Sequence, residues 1–126
     1  MGIEENKEVI YSIFEEVNKG NTGIVDEYFG DKFIRYSADG QEMDREDYKN
    51  KIVKPMLSNF PDLQFTVDDI VAEEDRVAFR FTWTATSQHD TPDGSIKKGQ
   101  QIKVTEDYFC RFEKGKIVEF KNLIGR

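Results

Sequence analysis

The chain has 126 residues, of which 34% are charged and 13% are aromatic, and its formal net charge is −7. This length and aromatic content predict one globular domain over residues 1–126 and exclude a disordered protein. The acidic balance argues against nucleic acid and anionic membranes as partners, because both attract basic patches.

The sequence contains no signal segment or membrane span, and it has one cysteine. The N-terminal residues contain no apolar signal segment, and the chain has no run of roughly 18 apolar residues, so we expect a cytoplasmic protein without a membrane span. The one cysteine, Cys110, excludes an intrachain disulfide, and its strand-like surroundings indicate a small buried apolar side chain.

The first part of the chain is predicted to be helical. Apolar residues at helical spacing predict a helix over residues 4–19, which ends where Gly20 can adopt the left-handed conformation. A short second helix is predicted near residues 23–29, and a brief strand over 32–37.

A third helix is predicted to begin at Asp44, whose side chain can cap it. Pro55 should kink or end this helix, because its ring removes a backbone donor and clashes with the preceding turn. Its inward positions are Tyr48, Ile52, Met56 and Phe60.

From Leu63 onward the apolar period becomes two, which predicts long strands. The first strand places Leu63, Phe65, Val67 and Val71 on one side, with Asp69 on that side unless a bulge shifts it. Two further inward rows are predicted, one of Val77, Phe79, Phe81, Trp83, Ala85 and Ser87, and one of Ile102, Val104, Glu106, Tyr108, Cys110 and Phe112. Helices followed by an antiparallel meander predict an α+β domain with helices packed on one face of a curved sheet.

The last strand contains one amide, Asn122, in an inward row otherwise formed by Val118, Phe120 and Ile124. A three-residue hairpin loop over residues 113–115 would pair Glu106 with Asn122 and place Tyr108 one step away. One interpretation is a buried hydrogen bond between Glu106 and Asn122, or a row that becomes solvent-exposed near Glu106. The other is a pocket in which Glu106 acts as a general acid or base.

Other chemical motifs are weak. His89, the only histidine, lies in a polar loop and is expected to be solvated, and one histidine does not make a metal site. Phosphate-binding loops, Ser-His-Asp spacing and CxxC are absent, so we expect neither a metal nor a cofactor.

Several segments resemble the SnoaL-like polyketide cyclase family of the nuclear-transport-factor-like superfamily. They are VNKGN (17–21), DEYF (26–29), FPDL (60–63), VDDIVAEEDRVA (67–78) and RFEKGKIVE (111–119). The resemblance implies a cone-shaped fold that encloses a deep apolar cavity, and a homodimer joined through the outer sheet surface. The outward residues Arg80, Thr82, Thr84 and Thr86 are the candidate dimer face.

The resemblance also implies where the family's site residues fall. The aspartate that serves as acid/base in the cyclases corresponds to Asn122, which cannot shuttle a proton. A histidine position of the family corresponds to Ser87, or to His89 after a two-residue slip. A further histidine position corresponds to Tyr36, and a tryptophan position on the last strand to Lys121.

We therefore expect a small, mostly apolar molecule in the cone, with possible proton transfer alpha to a carbonyl. The alternatives are a non-catalytic binding module and a structural dimer whose cone is filled by its own side chains. The candidate catalytic residues are Glu106, Asn122 and Tyr108. The candidate ligand-binding residues are Tyr11, Tyr36, Met56, Phe81, Trp83 and Phe120.

Overall fold

The computed structural model describes residues 2–123, which form four α-helices and one six-stranded sheet. The helices are α1 (Ile3–Asn18), α2 (Ile24–Tyr28), α3 (Arg45–Tyr48) and α4 (Lys54–Asn59), with a π-helical turn (Lys49–Val53) between α3 and α4. The strands are β1 (Phe29–Tyr36), β2 (Glu42–Asp44), β3 (Gln64–Glu73), β4 (Arg76–Thr86), β5 (Gln101–Glu113) and β6 (Lys116–Asn122). Ile124, predicted to belong to the inward row of the last strand, lies outside the described residues.

The sheet has the order β2-β1-β6-β5-β4-β3, and its pairs are antiparallel except for β1 with β6. Helix α1 packs against β3 and β4, so that the helical layer covers one face of the curled sheet. The predicted α+β class and its helices-first order are confirmed.

Helix α1 begins and ends close to its predicted limits. Its apolar stripe buries Ile10, Ile13 and Val17 against the sheet, as its helical spacing requires. Gly20 follows the helix with φ +79°, the left-handed conformation that favours glycine. The side chain of Asn18 forms two hydrogen bonds with the backbone of Phe65: its Oδ1 accepts from the N–H at 2.7 Å, and its Nδ2 donates to the carbonyl at 3.1 Å.

The third helical segment begins as predicted but continues past Pro55. The Asp44 side chain accepts a hydrogen bond from the Asp47 N–H at 2.8 Å, which confirms the cap. The π-helical turn then interrupts the α-helical hydrogen bonding, so Pro55 falls in the first turn of α4. A missing N–H costs little at that position, because the first N–H groups of a helix have no partner within it.

A bulge in β3 changes which residues face the core. The pairing of β3 with β4 shifts between Val67 and Asp69. After the shift Ile70 and Ala72 pack against the core, while Val71 is 63% exposed. The prediction that Val71 faces inward is therefore wrong, because one extra residue reverses the alternation of a strand.

The hairpin between β5 and β6 differs from its predicted register. Its loop has two residues, Lys114 and Gly115, with φ of 51° and 78°, which fits a type I′ turn. The pairing then passes from Phe112 opposite Ile117 to Arg111 opposite Glu119, and Val118 has no partner in this ladder. This bulge restores the inward and outward alternation that a two-residue loop alone would have reversed.

As a result, Asn122 lies opposite Tyr108, and the predicted pairing of Asn122 with Glu106 is wrong. Glu106 pairs with Phe81 on the other side of β5. The register is displaced by two residues in total: the two-residue loop shifts every pair by one, and the bulge at Val118 shifts the later pairs by one more.

The core is rich in aromatic side chains that pack between the helices and the concave sheet face. Cys110 is fully buried within it, and burial raises the pKa of its thiol. It is therefore the inert apolar side chain that the sequence predicts.

Candidate ligand-binding cavity

A cavity of about 190 Å³ lies between the helices and the concave face of the sheet. Its wall is mostly apolar and includes Phe14, Ile52, Val53, Met56, Phe65, Phe81 and Phe120. The wall residues that carry polar groups are Arg35, Tyr48, Trp83, Glu106 and Tyr108. An apolar enclosure with a few polar groups is typical of a small-molecule site, although drug-sized ligands usually occupy about 300–1,000 Å³.

Glu106 is held in place by Trp83. The two residues lie on neighbouring strands, β5 and β4, with their side chains on the inward face. Trp83 Nε1 donates a hydrogen bond to Glu106 Oε2 at 3.1 Å. This contact fixes the orientation of a carboxylate inside an otherwise apolar cavity.

Tyr108 follows Glu106 on the inward row of β5. Its ring stacks on Phe120 at 5.1 Å between centroids, and its hydroxyl lies within hydrogen-bonding reach of the Arg35 and Asn122 side chains. Burial, and then the charge of Glu106, raise the pKa of Tyr108. Its hydroxyl therefore stays protonated at neutral pH and can donate a hydrogen bond.

A second tyrosine, Tyr48, reaches the same cavity from helix α3. Burial raises its pKa, and the nearby groups Tyr108 and Glu106 act in the same direction, while Arg35 opposes them. Two protonated hydroxyls thus share the cavity with one carboxylate and one guanidinium.

Asn122 lies behind the cavity wall, next to Tyr108. It is 3% exposed and lies directly opposite Tyr108, with its side chain within hydrogen-bonding reach of the Tyr108 hydroxyl, but it is not part of the cavity wall. Glu106, Tyr108 and Asn122 all lie on the inward face, as their alternation along the strands predicts. The residue next to Asn122 is Tyr108, and not Glu106 as predicted.

Comparison with known proteins agrees with this architecture. A family model described as SnoaL-like polyketide cyclase matches residues 8–125. The chain belongs to the SnoaL-like polyketide cyclase family. No curated protein sequence matches it.

Solved structures of similar proteins cover nearly the whole SnoaL-like chain. AclR from Streptomyces galilaeus, described as a candidate hydroxylase, is 32% identical with a TM-score of 0.84, and the match covers 96% of this chain and 89% of AclR. IdmH from Streptomyces antibioticus, a candidate polyketide cyclase, is 24% identical with a TM-score of 0.80, over 93% and 89% of the two chains. A candidate polyketide cyclase from Acidithiobacillus ferrooxidans is 27% identical with a TM-score of 0.77, over 97% and 89%.

The SnoaL-like cavity includes most, but not all, of the side chains predicted for it. Met56, Phe81, Trp83 and Phe120 lie on its wall together with Glu106 and Tyr108. Tyr11 is 44% exposed on α1 and is not on the wall.

Tyr36 is also not on the wall, and its predicted place there is wrong. It pairs with Lys121 on β6, whose ammonium lies 5.7 Å from the centre of its ring. The inward positions of β1 are Phe33 and Arg35, one residue out of phase with Tyr36. Arg35 and Tyr48 are therefore polar cavity residues that were not predicted as site residues. The alternation of Arg35 with Phe33 is the signal that could have found Arg35.

The two positions considered for the family histidine are clearly separated in the SnoaL-like fold. Ser87 continues the inward row of β4, is buried, and donates a hydrogen bond from Oγ to the His89 carbonyl at 2.6 Å. The His89 side chain is exposed. Ser87 is thus the residue that occupies the inward position.

Two kinds of feature are absent from residues 2–123. No group of three or more His, Cys, Asp or Glu side chains there is placed to hold a metal ion. None of the helices in this range is long and apolar enough to cross a membrane.

Proposed function

We propose that this SnoaL-like protein binds a small, mostly apolar carbonyl compound, polyketide-like or smaller, and transfers a proton at the carbon alpha to its carbonyl. The observation that carries this proposal is the placement of Glu106 and Tyr108, whose side chains line one apolar cavity from successive inward positions of β5. A fixed base and a fixed hydrogen-bond donor are what enolisation requires.

In the proposed reaction, Glu106 removes the alpha proton and the electron pair of the C–H bond moves toward the carbonyl oxygen. Tyr108 donates a hydrogen bond to the resulting oxyanion. Asn122, which lies opposite Tyr108 and within reach of its hydroxyl, orients that hydroxyl. If the enolate is conjugated, return of the proton from Glu106 to the far carbon gives an isomer. Attack of the enolate carbon on a second carbonyl of the same molecule closes a ring, and the new alkoxide takes the proton back from Glu106.

The relatives support this type of chemistry. IdmH and the Acidithiobacillus ferrooxidans protein are described as candidate polyketide cyclases, and ring closure of a polyketide begins with an enolate. AclR is described as a candidate hydroxylase, so members of similar structure are associated with different reactions. The side chains of this cavity, more than the fold, therefore carry the proposal.

The proposal is tested by proton exchange into 2-tetralone, a small apolar ketone, in deuterium oxide. We expect the protein to accelerate exchange at the alpha carbon, followed by proton NMR, and Glu106→Gln to lower the rate by roughly 10²–10⁴-fold, the usual contribution of a general base. Glu8→Gln is the matched control, because Glu8 is exposed on α1. Full exchange activity in Glu106→Gln would remove Glu106 from the reaction.

Two observations favour the alternative of a binding or structural module without catalysis. The last-strand position of the family's acid/base aspartate is Asn122, whose amide cannot shuttle a proton. The cavity is also small, since aromatic side chains fill much of the cone. Saturable binding of 2-tetralone without any exchange would support this alternative.

We also propose that two copies of the chain pair through the outer face of the sheet, and that the protein acts in the cytoplasm. An apolar outer patch, formed by Val71, Ala78, Phe109 and Leu123, borders two shallow grooves on that face. Val71 and Leu123 are 63% and 58% exposed. Burial of such a patch against a second copy would stabilise a dimer.

A further inference from the structure

Arg35 differs from the other arginines of the protein in its surroundings. Arg45, Arg76, Arg80 and Arg111 each have a carboxylate oxygen within 4.0 Å. Arg35 is the one arginine within residues 2–123 for which no such carboxylate is found. In a chain with 25 acidic residues, a guanidinium without a carboxylate partner indicates that its position serves something else.

The place of Arg35 makes this lack of a partner costly. Its side chain lies on the cavity wall, and its Nε is buried with no hydrogen-bond partner among the described residues. A guanidinium is charged at every pH that a protein tolerates, so it cannot lower the cost by losing its proton. A buried charge normally requires an anion and further hydrogen bonds.

The cavity's own carboxylate does not fill this role. Glu106 receives the hydrogen bond of Trp83, and none of its oxygens lies within 4.0 Å of an Arg35 nitrogen. The Tyr108 hydroxyl stands within reach of Arg35 and is also influenced by the charge of Glu106. The cavity wall thus carries a positive group, Arg35, and a negative group, Glu106, that form no ion pair with each other.

We propose that Arg35 binds a carboxylate of the ligand, so that the substrates are small apolar carboxylic acids that also carry the carbonyl on which Glu106 acts. This inference rests on the proposed function, which it makes more specific. A carboxylate can accept two parallel hydrogen bonds from a guanidinium, including one from Nε, and neutralises its charge. A neutral ketone alone would leave the charge of Arg35 uncompensated.

The test uses two probes of nearly equal shape, cyclohexanecarboxylate and cyclohexanecarboxamide, at pH 7. Trp83 is the only tryptophan and lies on the cavity wall, so its fluorescence reports binding in this cavity. We expect the carboxylate to bind at least tenfold more tightly than the amide, and Arg35→Gln to abolish this difference. Equal affinity for the two probes, or a preference that survives in Arg35→Gln, would overturn the inference.

Two further variants separate this inference from the proposed reaction. Glu106→Gln should keep or strengthen carboxylate binding, because it removes a negative charge from the cavity while leaving Arg35 in place. If the fluorescence of Trp83 gives equal affinities for the two probes, Arg35 does not bind the carboxylate, but a ligand still binds in the cone. If Trp83 responds to neither, binding in the cone fails as well.

The melting temperature distinguishes an arginine that binds the ligand from one that stabilises the fold. Arg35→Met should melt close to the temperature of the unliganded parent protein, because the partly buried charge that it removes lacks a carboxylate partner, which offsets the loss of the contact to Tyr108. Cyclohexanecarboxylate should raise the melting temperature of the parent protein and not that of Arg35→Met. A large fall in the melting temperature of unliganded Arg35→Met would show that Arg35 serves the fold and would overturn the inference.

Discussion

At the scale of single residues, the cavity contains hydroxyl groups that burial keeps protonated. Tyr48 and Tyr108 reach it from α3 and β5, and burial is the first cause of the raised pKa of each. Both are therefore donors over the whole neutral range, which suits them to stabilise a developing oxyanion rather than to act as bases.

We predict that Tyr48 and Tyr108 both ionise above the ordinary tyrosine pKa of 10.0. Because their folded-state pKa values are raised, their contribution to stability is fully present below about pH 10 and is lost as the pH rises through those values. Absorbance at 295 nm should show a late-titrating fraction, from which Tyr48→Phe and Tyr108→Phe each remove one tyrosine. In guanidinium chloride the late fraction should vanish, and its persistence there would contradict the role of burial.

At the scale of elements, the hairpin between β5 and β6 places the residues of the candidate site. Its Lys114-Gly115 turn and the bulge at Val118 together bring Asn122 opposite Tyr108. The backbone of Gly30 on β1 approaches this bulge closely, since a Cβ at Gly30 would lie 3.3 Å from a methyl carbon of Val118. The register of the last strand thus depends on contacts from a distant segment as well as on its own turn.

Replacing Lys114 by asparagine should stabilise the protein. Lys114 has φ 51°, a conformation that costs most L-residues roughly 1–2 kcal/mol, and Asn-Gly is the preferred sequence of a type I′ turn. We expect Lys114→Asn to raise the free energy of unfolding by about 0.5–1 kcal/mol, measured by urea denaturation. Lys114→Ala is the control, because it removes the same charge but keeps the conformational cost, and an equal gain in both variants would contradict the explanation.

Much of the fold follows from alternation that the sequence shows directly. The inward row of β4 and the positions of Trp83, Glu106 and Tyr108 were predictable because those strands run without interruption. Val71 was not, because a bulge leaves no reliable mark in a single sequence.

Arg35 was missed for a related reason. The pairing of β1 with β6 shifts between Phe29 and Ile34, so the inward phase of β1 depends on its neighbouring strand. Phe33 marks the inward face that Arg35 shares, but the apolar residues Ile34 and Tyr36 on the opposite face make this alternation ambiguous in the sequence alone.

At the scale of the whole molecule, the two faces of the sheet are chemically different. The concave face is apolar and holds the cavity, whereas the convex face combines the outer patch with polar side chains. Arg80 forms two hydrogen bonds with Asp107 there, at 2.7 and 3.0 Å, and Thr82 donates to Asp68 at 2.6 Å. Adjacent opposite charges of this kind allow two identical surfaces to meet around a two-fold axis.

If the outer patch joins two copies, a charge placed in it should separate them. We expect Val71→Glu and Leu123→Glu to convert a dimer into a monomer, measured by light scattering during size-exclusion chromatography, because an unpaired carboxylate opposes burial. Ile3→Glu is the matched control, since Ile3 is an exposed apolar residue on α1. A monomeric parent protein, or dimers in both patch variants, would refute the outer patch as an interface.

The two hydrogen bonds between Asn18 and Phe65 have a consequence for the solubility of the protein. β3 is an outermost strand, and its unpaired N–H and C=O groups are a template on which a foreign strand could add. By occupying both groups of Phe65, the amide of Asn18 protects the first part of this edge strand against intermolecular β-aggregation. At the opposite border the outermost strand has only three residues, which leaves little length for such templating.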